Sequence, residues 1–513
     1  MRSKSLLAFW LTLLLVGLLA LAFEVQLVQA GGTIYIRADG SVDPPTAPIS
    51  SVDYVTYALT GNINGSIVVE RDNIAVDGAG CTVEGTGSGR GIDLSGRSNI
   101  TVKNVNVVAF KFGIYLEGSS GNMLVENNII ENVYSIYLEA SSNNTITMNN
   151  ATNNNVGIRL RESSNNTILW NSITKQEHYS IGLSYSSGNI IAGNNITENG
   201  GGINIFESSN CNTIYGNNVT AAGEGCGVGM GYSSNCNSVY GNNIANHRYS
   251  GVAIGSSLNN SVYGNNIVNN REGVSIGANS KPHSKYNSVY GNNIVNNEYG
   301  FFMYDSSNNS IHRNNFINNT QVFITNLINS WDDGVEGNYW SNYTGVDLNL
   351  DGIGDSAHVI NENNIDQCPL MGTFHSFNTS RGYMVNVISN STIQDFKYYE
   401  SNRTIKMHVS NSSLGQTFGF CRIRIPHALM NEPYNVTVDG AEPHYINYTL
   451  LDDGDNRWVY FTYQHSTREI TITQEFPPFL LYIIIPLGIM TTILLIVMIY
   501  IKEHQTARVE ETV

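Results

Sequence analysis

The segment NSVYGNNIVNN occurs twice without change, at Asn260–Asn270 and Asn287–Asn297, and a near copy begins at Asn237. Aligned on the first residue of the paired asparagines, the copies fall at positions 127, 149, 171, 194, 217, 242, 265, 292 and 314. Most steps are 22 or 23 residues, a period typical of solenoids. Short alternating apolar runs between Asn, Gly and Ser predict three short strands per repeat. We therefore predict an all-β chain built on a right-handed parallel β-helix of about 10–12 coils, with an N-terminal cap and first coils over residues 31–110 and the repeats over 111–330.

The asparagines have an architectural explanation. Equivalent side chains of a β-helix lie one coil apart, about 4.8 Å. A stacked Asn can donate its amide to the side-chain carbonyl of the Asn in the next coil, which forms a ladder. Asn also tolerates the left-handed backbone that tight corners need. Stacked charges would repel at this spacing, which agrees with a charged fraction of only 13%.

The two ends of the chain predict export and membrane attachment. Residues 1–30 have basic residues, an apolar run and a small-residue cleavage signature that ends at Ala30, which together predict a signal peptide; an uncleaved anchor helix is the alternative. Residues 479–501 carry no charge and are numerous enough to cross a bilayer as one helix. Residues 502–513 would then form a short cytoplasmic tail. We expect a single-pass protein of the cell membrane with the bulk of the chain extracytoplasmic.

Charge and sequons indicate which partners to expect. The net charge of −16 argues against a nucleic-acid partner, because phosphate binding needs clustered Lys and Arg. On an exported chain, Asn-x-Ser/Thr sequons are glycan acceptors, although an Asn- and Ser-rich repeat also produces them by chance. The sequons include those that begin at Asn64, Asn143, Asn165, Asn195, Asn218, Asn308, Asn342, Asn402 and Asn435.

One group of outward-facing residues is chemically distinctive. The outward positions of three consecutive coils, together with one neighbouring position, hold Tyr115, Glu117, Tyr137, Glu139, Arg159, Arg161 and Glu162. Carboxylates about 5 Å apart suit a retaining glycosidase, with Glu117 and Glu139 as the catalytic candidates. Tyrosines beside carboxylates and arginines suit glycan binding through ring stacking and hydrogen bonds. A surface ion-pair cluster is the third interpretation.

An acidic segment over residues 331–371 follows the repeats. Its DLNLDGIGD sequence places oxygen ligands in the order of the first nine positions of a calcium loop, with a glycine at the bend. The predicted ligands of a structural Ca²⁺ ion are Asp347, Asn349, Asp351, Asp355 and the carbonyl of Ile353. The Glu usual at position 12 is absent, and a series of metal-free Asx turns is the alternative. Trp331, Tyr339 and Trp340 are expected to cap the open end of the β-helix.

Residues 372–474 predict a second module. Six alternating segments with turn residues between them indicate a small antiparallel, Ig-like β-sandwich. The segment has no catalytic constellation, and we interpret it as a stalk between the β-helix and the membrane.

Two of the six cysteines occupy equivalent positions in adjacent coils. Cys211 and Cys236 each precede the first Asn of a coil, and a separation near 4.8 Å lies within the Cα range of a disulfide. A bridge between them is therefore predicted, with two stacked thiols as the alternative. Cys226, in the intervening loop, could compete for either partner.

The coils with Asn-Asn corners, followed by WDDGVEGNYWSNYTGVDLNLDGIGD and DQCPLM, resemble the NosD-like group of right-handed β-helix proteins, also described as carbohydrate-binding and sugar-hydrolysing (CASH) repeats. The resemblance covers roughly residues 32–371, and the added sandwich and anchor look like archaeal surface proteins. It implies a β-helix and a role in copper-enzyme maturation. The sequence departs from a copper role because its His and Met residues are scattered.

Three functions are compatible with these features. The first is a membrane-anchored cell-surface β-helix that binds extracellular or envelope glycans or forms part of the envelope. The second is a polysaccharide hydrolase or lyase. The third is an accessory factor in copper-enzyme maturation.

Overall fold

The computed structural model describes residues 31–221, 223–277, 283–475, 490–499 and 501. These residues divide into two compact units. The first contains the described residues up to Asn342 together with His358–Gln367, and the second contains Tyr343–Ala357 and the described residues from Cys368 onward. The predicted segment 331–371 is thus shared between the units.

The first unit is a parallel β-helix of about 12 coils, which confirms the predicted fold class. Its first strands are β1 (Gly31–Ile36), β2 (Val42–Asp43), β3 (Ile49–Ser50), β4 (Thr56–Leu59), β5 (Ile63–Val69), β6 (Ala75–Asp77), β7 (Thr82–Glu84), β8 (Arg90–Asp93), β9 (Thr101–Lys103) and β10 (Asn106–Val108).

The repeats contribute the following strands: β11 (Phe112–Glu117), β12 (Met123–Val125), β13 (Asn128–Ile130), β14 (Tyr134–Glu139), β15 (Thr145–Thr147), β16 (Asn150–Thr152), β17 (Val156–Arg161), β18 (Thr167–Leu169), β19 (Ser172–Thr174), β20 (Tyr179–Ser184), β21 (Ile190–Ala192), β22 (Asn195–Asn199), β23 (Gly201–Phe206), β24 (Thr213–Tyr215), β25 (Asn218–Ala221), β26 (Val228–Gly231), β27 (Ser238–Tyr240), β28 (Asn243–Ala245), β29 (Ser250–Gly255), β30 (Ser261–Tyr263), β31 (Asn266–Val268), β32 (Glu272–Gly277), β33 (Ser288–Tyr290), β34 (Asn293–Val295), β35 (Tyr299–Met303), β36 (Ser310–His312), β37 (Asn315–Ile317), β38 (Gln321–Ile324) and β39 (Tyr339–Trp340). The unit ends with a small antiparallel pair, β40 (His358–Asn361) and β41 (Asn364–Asp366).

Each repeat folds as one long and two short strands, and each pairs in parallel with its equivalent in the next coil. The middle residue of each short strand points inward and is an almost fully buried Ile, Val, Leu, Ala or Phe, such as Leu124 and Ile129. The ladder that contains β8, β11, β14, β17, β20, β23, β26, β29, β32, β35 and β38 is called the long-strand face below.

The asparagine pair is split between two environments. Asn127, the first of its pair, is buried and donates its side-chain N–H to Asn149 Oδ1 at 2.9 Å and to the carbonyl of Val102 at 2.9 Å. Asn128, the second, donates outside the coil in the opposite axial direction, to Asn106 Oδ1 at 3.1 Å. The predicted ladder is confirmed, and the buried copy satisfies the backbone of the corner where two strands meet.

The C-terminal end of the β-helix is closed by aromatic rings and one buried carboxylate. Trp331 and Trp340 are 1% and 3% exposed, and Phe316 stacks on Trp340 with ring centroids 4.3 Å apart. Asp366 ends the buried ladder by accepting hydrogen bonds from the Asn338 N–H at 2.8 Å and the Trp340 indole N–H at 2.9 Å. A carboxylate suits this place because it accepts hydrogen bonds and donates none.

In the second unit, two antiparallel sheets share one apolar core, which confirms the predicted sandwich in part. Its strands are β42 (Thr373–Asn378), β43 (Met384–Ser389), β44 (Ser391–Tyr399), β45 (Thr404–Asn411), β46 (Phe418–Pro426), β47 (Tyr434–Val438), β48 (Tyr445–Asp452), β49 (Asn456–Gln464) and β50 (Arg468–Gln474), with a 3₁₀ turn at Glu400–Asn402. The sheet orders are β42-β43-β46-β49-β48 and β44-β45-β50-β47.

Residues 490–499 form a helix. Among the residues that the structure describes, none of the helices combines the length and apolar character needed to cross a bilayer. The rest of the predicted span 479–501, except residue 501, lies outside the described residues, as do the predicted signal peptide 1–30 and tail 502–513.

Candidate functional site

The residues singled out by the sequence lie together on the long-strand face. In the pairing of β11 with β14, Tyr115 lies opposite Tyr137 and Glu117 opposite Glu139. In the next pairing, of β14 with β17, Tyr137 and Glu139 lie opposite Arg159 and Arg161. On the other side, Asp93 of β8 lies opposite Tyr115. Together with Arg90 and Glu162 these residues are called the charged patch.

The Tyr115 hydroxyl is the centre of the charged patch. Its oxygen lies 3.2 Å from Glu117 Oε2, on its own strand, and 3.2 Å from Glu139 Oε2, on the next coil. A phenol has one hydrogen, so this hydroxyl donates to the two carboxylates by sharing or alternation. The Tyr115 side chain is almost completely buried, at 4% exposure, which fixes the hydroxyl between two carboxylates that reach the solvent.

An arginine closes each end of the carboxylate pair. Arg161 lies 3.1 Å from Glu139 Oε1 and 3.7 Å from Glu162. Arg90 lies 2.7 Å from Asp93 and 3.4 Å from Glu117. The side-chain contacts therefore run in the order cation, anion, anion, cation, from Arg90 to Glu117, through the Tyr115 hydroxyl to Glu139, and on to Arg161.

Other side chains cover both faces of the Tyr115 ring. The Arg90 guanidinium lies 3.7 Å from the Tyr115 ring centroid, and the Tyr137 ring stacks against Tyr115 with centroids 5.8 Å apart and planes 14° from parallel. Phe112 and Tyr134 pack against the edges of this pair. The rings hold one another and the polar groups in place, so a sugar would meet the charged side chains first.

Burial and neighbouring charges raise the pKa of the Tyr115 and Tyr137 hydroxyls. Burial raises the pKa of Tyr115, Arg90 opposes this, and the Glu117 and Glu139 carboxylates raise it further. Burial likewise raises the pKa of Tyr137, with Glu139 adding to the effect. Both hydroxyls therefore stay protonated and act as hydrogen-bond donors rather than as bases.

Sequence reasoning missed Arg90 and Asp93, although a signal was present. The segment Arg90-Gly-Ile-Asp93 aligns with Phe112-Gly-Ile-Tyr115, so it occupies the same strand one coil earlier. It precedes the first Asn pair of the alignment and was not included in it.

A second missed feature is an outer aromatic column in which the centroids of successive rings lie 4.8–5.5 Å apart: Tyr215, Tyr240, Tyr263, Tyr290 and His312.

The predicted calcium ligands lie in the second unit, where their carboxylates accept backbone N–H groups. The Asp347 carboxylate accepts the backbone N–H of Asp351 at 3.0 Å and that of Gly352 at 2.8 Å. The Asp351 carboxylate accepts the N–H of Ile353 at 2.7 Å, and the Asp355 carboxylate accepts the N–H of Leu348 at 2.6 Å. Asn349 donates its side-chain N–H to Asp351 at 3.3 Å. The described residues contain no group of three or more His, Cys, Asp or Glu side chains that could hold a metal ion. Of these contacts only that of Asp351 with Ile353 has the two-residue spacing of an Asx turn, and calcium binding stays a prediction.

Cys211 and Cys236 are both exposed free thiols, where the sequence predicted a bridge. They have the same left-handed backbone, with φ of 55° and 58°, in consecutive coils held by the Asn212–Asn237 hydrogen bond of 3.0 Å. Identical backbones in register give parallel Cα–Cβ bonds, which leave the Cβ atoms about one coil spacing, 4.8 Å, apart. A disulfide needs about 3.5–4.5 Å between Cβ atoms, which is shorter than one coil spacing, and the bridge stays a prediction.

Comparison with known proteins agrees with the coil architecture. The profile of the family described as "Periplasmic copper-binding protein (NosD)" matches residues 63–249 and 219–345, more than half of the 513 residues. The chain belongs to the NosD family. The resemblance of its coils and of the GNYWSNY segment to this family is thereby confirmed. No curated protein sequence shows a significant match.

Solved structures that are similar to this NosD-family chain are remote. The Dettilon tailspike protein (gp208) is 15% identical with a TM-score of 0.36, over 80% of this chain and 87% of that one. The A-module of the mannuronan C-5 epimerase AlgE6 from Azotobacter vinelandii is 15% identical with a TM-score of 0.42, over 53% and 90%. The periplasmic alginate epimerase AlgG is 13% identical with a TM-score of 0.35, over 58% and 84%. Likenesses at this level carry no argument about function.

Proposed function

We propose that this NosD-family chain is a membrane-anchored cell-surface protein that binds glycans through the charged patch. The observation that carries the proposal is the fixed row of donors and acceptors around the buried Tyr115 hydroxyl. Glu117 and Arg161 expose 52% and 47% of their side chains while remaining paired through neighbours in the row. Sugar hydroxyls both donate and accept hydrogen bonds, and charged partners give the stronger bonds.

Neutral glycans fit the charged patch better than acidic ones. Arg90, Arg159 and Arg161 face four carboxylates, those of Asp93, Glu117, Glu139 and Glu162. A polyuronate would bring further negative charge to a patch whose own charges nearly cancel, on a chain with net charge −16. We therefore infer a neutral polysaccharide or the neutral sugars of envelope glycans as the ligand.

Binding is favoured over cleavage. A hydrolase would use Glu117 and Glu139 as acid and nucleophile, and a lyase would need a base. Each of these carboxylates contacts both the Tyr115 hydroxyl and an arginine, and the tyrosines have raised pKa values. Release of reducing ends from a bound polysaccharide, lost in Glu139→Gln, would establish the hydrolase instead.

Affinity electrophoresis of the full chain through gels that contain neutral or uronate polysaccharides tests the proposal. We expect retardation by at least one neutral polysaccharide, and loss of that retardation in Arg161→Ala. The matched control is Arg248→Ala, which removes an exposed arginine paired with Glu224 far along the β-helix. Retardation that is equal in both variants, or confined to uronates, would contradict the assignment.

The anchor is tested separately. The absence of charge over residues 479–501 supports a membrane span. The full chain should then stay with membranes after alkaline carbonate extraction and leave them only with detergent. Release by carbonate would remove the anchor from the proposal and leave glycan binding standing.

Copper binding is a second candidate function, favoured by the family's description and by one observation. His and Met residues were predicted to be too scattered for copper, and the described residues contain no group of three or more His, Cys, Asp or Glu that could hold a metal. The exposed thiols of Cys211 and Cys236, however, are soft donors of the kind that select Cu(I). A role in copper-enzyme maturation would use such a site to carry the ion as cargo.

A further inference from the structure

Two cysteines occupy a surface column that elsewhere uses other residues. The column consists of the left-handed residues that precede the buried ladder asparagines: Asn143, Asn165, Gly188, Cys211, Cys236, Asn259, Tyr286 and Asn308. Asn and Gly tolerate this backbone, whereas other residues adopt it at a cost of about 1–2 kcal/mol. Cysteine is therefore an unfavourable choice for the corner, and it occurs in two consecutive coils.

The two corners superimpose in their backbone contacts. Cys211 N–H donates to the Asn235 carbonyl at 3.0 Å, and Cys236 N–H donates to the Leu258 carbonyl at 3.1 Å, each the equivalent atom of the next coil. Two residues further on, Thr213 pairs with Ser238 in the same parallel register. The side chains therefore leave the surface side by side, about one coil spacing apart.

That spacing favours a bridging ion over a disulfide. Parallel Cβ atoms about 4.8 Å apart exceed the separation of a disulfide. Thiolate–metal bonds of about 2.3 Å would place two sulfurs about 4.6 Å apart on opposite sides of one ion.

We propose that Cys211 and Cys236 form a dithiolate site for one Cu(I) ion. This inference rests on copper binding as a proposed function and is independent of the glycan proposal. Binding replaces two S–H bonds by two S–Cu bonds, releases two protons, and leaves copper in its +1 state, so no oxidant or reductant is consumed. Two sulfur donors suit a soft monovalent ion, and harder divalent ions prefer more ligands of nitrogen and oxygen.

The test is a competition for Cu(I) between the full chain and a chromophoric Cu(I) chelator, under anaerobic conditions with a phosphine reductant. The variant Cys211→Asn/Cys236→Asn carries at both corners the residue that Asn165 and Asn259 already show to fit. We expect the wild-type chain to withdraw one equivalent of copper more than this variant. Cys226→Ser, which alters a half-buried thiol outside the column, should keep that equivalent.

The pH dependence adds a readout that a structural role would not produce. Release of two protons makes the apparent affinity rise by up to 100-fold per pH unit while both thiols are protonated, whereas a site with one thiol gives up to 10-fold. A double variant that binds as the wild type does would overturn this site but leave copper binding intact. A wild-type chain that withdraws no copper would overturn both. Retention of the full equivalent by either single variant would also contradict a paired site.

Discussion

The Tyr115 hydroxyl lies 3.2 Å from Glu139 Oε2, although the two residues belong to different coils. The same oxygen lies 3.2 Å from Glu117 on its own strand, so one buried phenol links two carboxylates that coil stacking places side by side. Without that donor and the arginines at either end, two stacked carboxylates would repel each other. The buried Tyr115 hydroxyl therefore stabilises the two solvent-exposed carboxylates of the charged patch through its hydrogen bonds.

Tyr115→Phe should lower the free energy of unfolding by about 1 kcal/mol, because the variant loses a hydrogen bond to a charged group while the carboxylates can still reach water. It should also weaken binding of a neutral polysaccharide, since the carboxylates lose their fixed position. Denaturant unfolding and affinity electrophoresis measure the two effects. Tyr286→Phe, at a ring 60% exposed, is the control and should change neither. An unchanged affinity in Tyr115→Phe would show that the hydroxyl does not organise the site.

The sequence predicted the β-helix well because its determinants repeat. The period, the alternation of apolar residues and the Asn pairs recur in successive copies, so an error in assigning the strands of one copy is detected by comparison with the others. The patch was predictable to the extent that its residues share a register, as Glu117 and Glu139 do. Arg90 was missed because its coil lacks the Asn pair, and ring coverage was missed because it depends on rotamers, which a sequence does not fix.

The cysteine and acidic-loop predictions show a different limit. Both depend on spacing along the chain, whereas a disulfide or a calcium site also depends on the direction of bonds, and both stay predictions. The left-handed φ of Cys211 and Cys236 sets their Cβ atoms parallel. The carboxylates of Asp347 and Asp355 are turned toward backbone N–H groups of their own loop. In the second unit, β42, β44 and β48 were not among the six predicted segments, because most of their positions are partly or fully exposed and they lack a continuous buried stripe.

The two members of an Asn pair should differ sharply in their effect on stability. Asn242 is buried and donates to the Asn265 side chain and to the carbonyls of Ile214 and Tyr240, at 2.9–3.0 Å. Asn242→Ala leaves several of these groups without a partner, at about 1–3 kcal/mol each, so we expect a loss of more than 3 kcal/mol.

The matched control is Asn243→Ala, in the same coil. Asn243 is exposed, donates to Asn218 at 2.8 Å and accepts from Asn266 at 2.9 Å, and water can replace both contacts. Its loss should cost less than 1 kcal/mol in the same denaturant unfolding experiment. Equal effects of the two substitutions would mean that the buried ladder is not what stabilises the corner.

A histidine in the buried ladder that also contains Asn270 and Asn297 should make stability depend on pH. His247 is buried, donates its backbone N–H to Asn270 Oδ1 at 3.0 Å, and has Nε2 3.2 Å from the Val219 carbonyl. Burial lowers its pKa from the ordinary 6.5. Because the folded-state pKa lies below the unfolded one, the unfolded chain binds more protons, and stability is lost as pH falls below 6.5 toward the folded pKa.

His247→Asn should therefore flatten the dependence of the melting temperature on pH below 6.5, while Asn continues the ladder that Asn270 and Asn297 extend. His283→Asn, at a half-exposed histidine that pairs with Asp305, is the control and should leave the slope in place. A slope that persists in His247→Asn would assign the pH dependence to another group.

The acidic loop gives the last prediction. Burial raises the pKa of Asp347; the N–H groups of Asp351 and Gly352 oppose this, and the charges of Asp351 and Asp355 raise it further. Since the folded-state pKa exceeds the ordinary 3.8, the unit loses stability as pH rises from below 3.8 through the folded value.

A bound calcium ion would offset the repulsion among the carboxylates of Asp347, Asp351 and Asp355, so we expect calcium to raise the melting temperature at pH 7 and a chelator to lower it. Mass action makes the shift grow with calcium concentration. Asp347→Asn should lose both the calcium response and the acid-range slope, whereas Asp395→Asn, at an exposed carboxylate elsewhere in the same unit, should keep them. Superimposable melting curves with calcium and with chelator would show that the backbone N–H hydrogen bonds hold the loop without a metal.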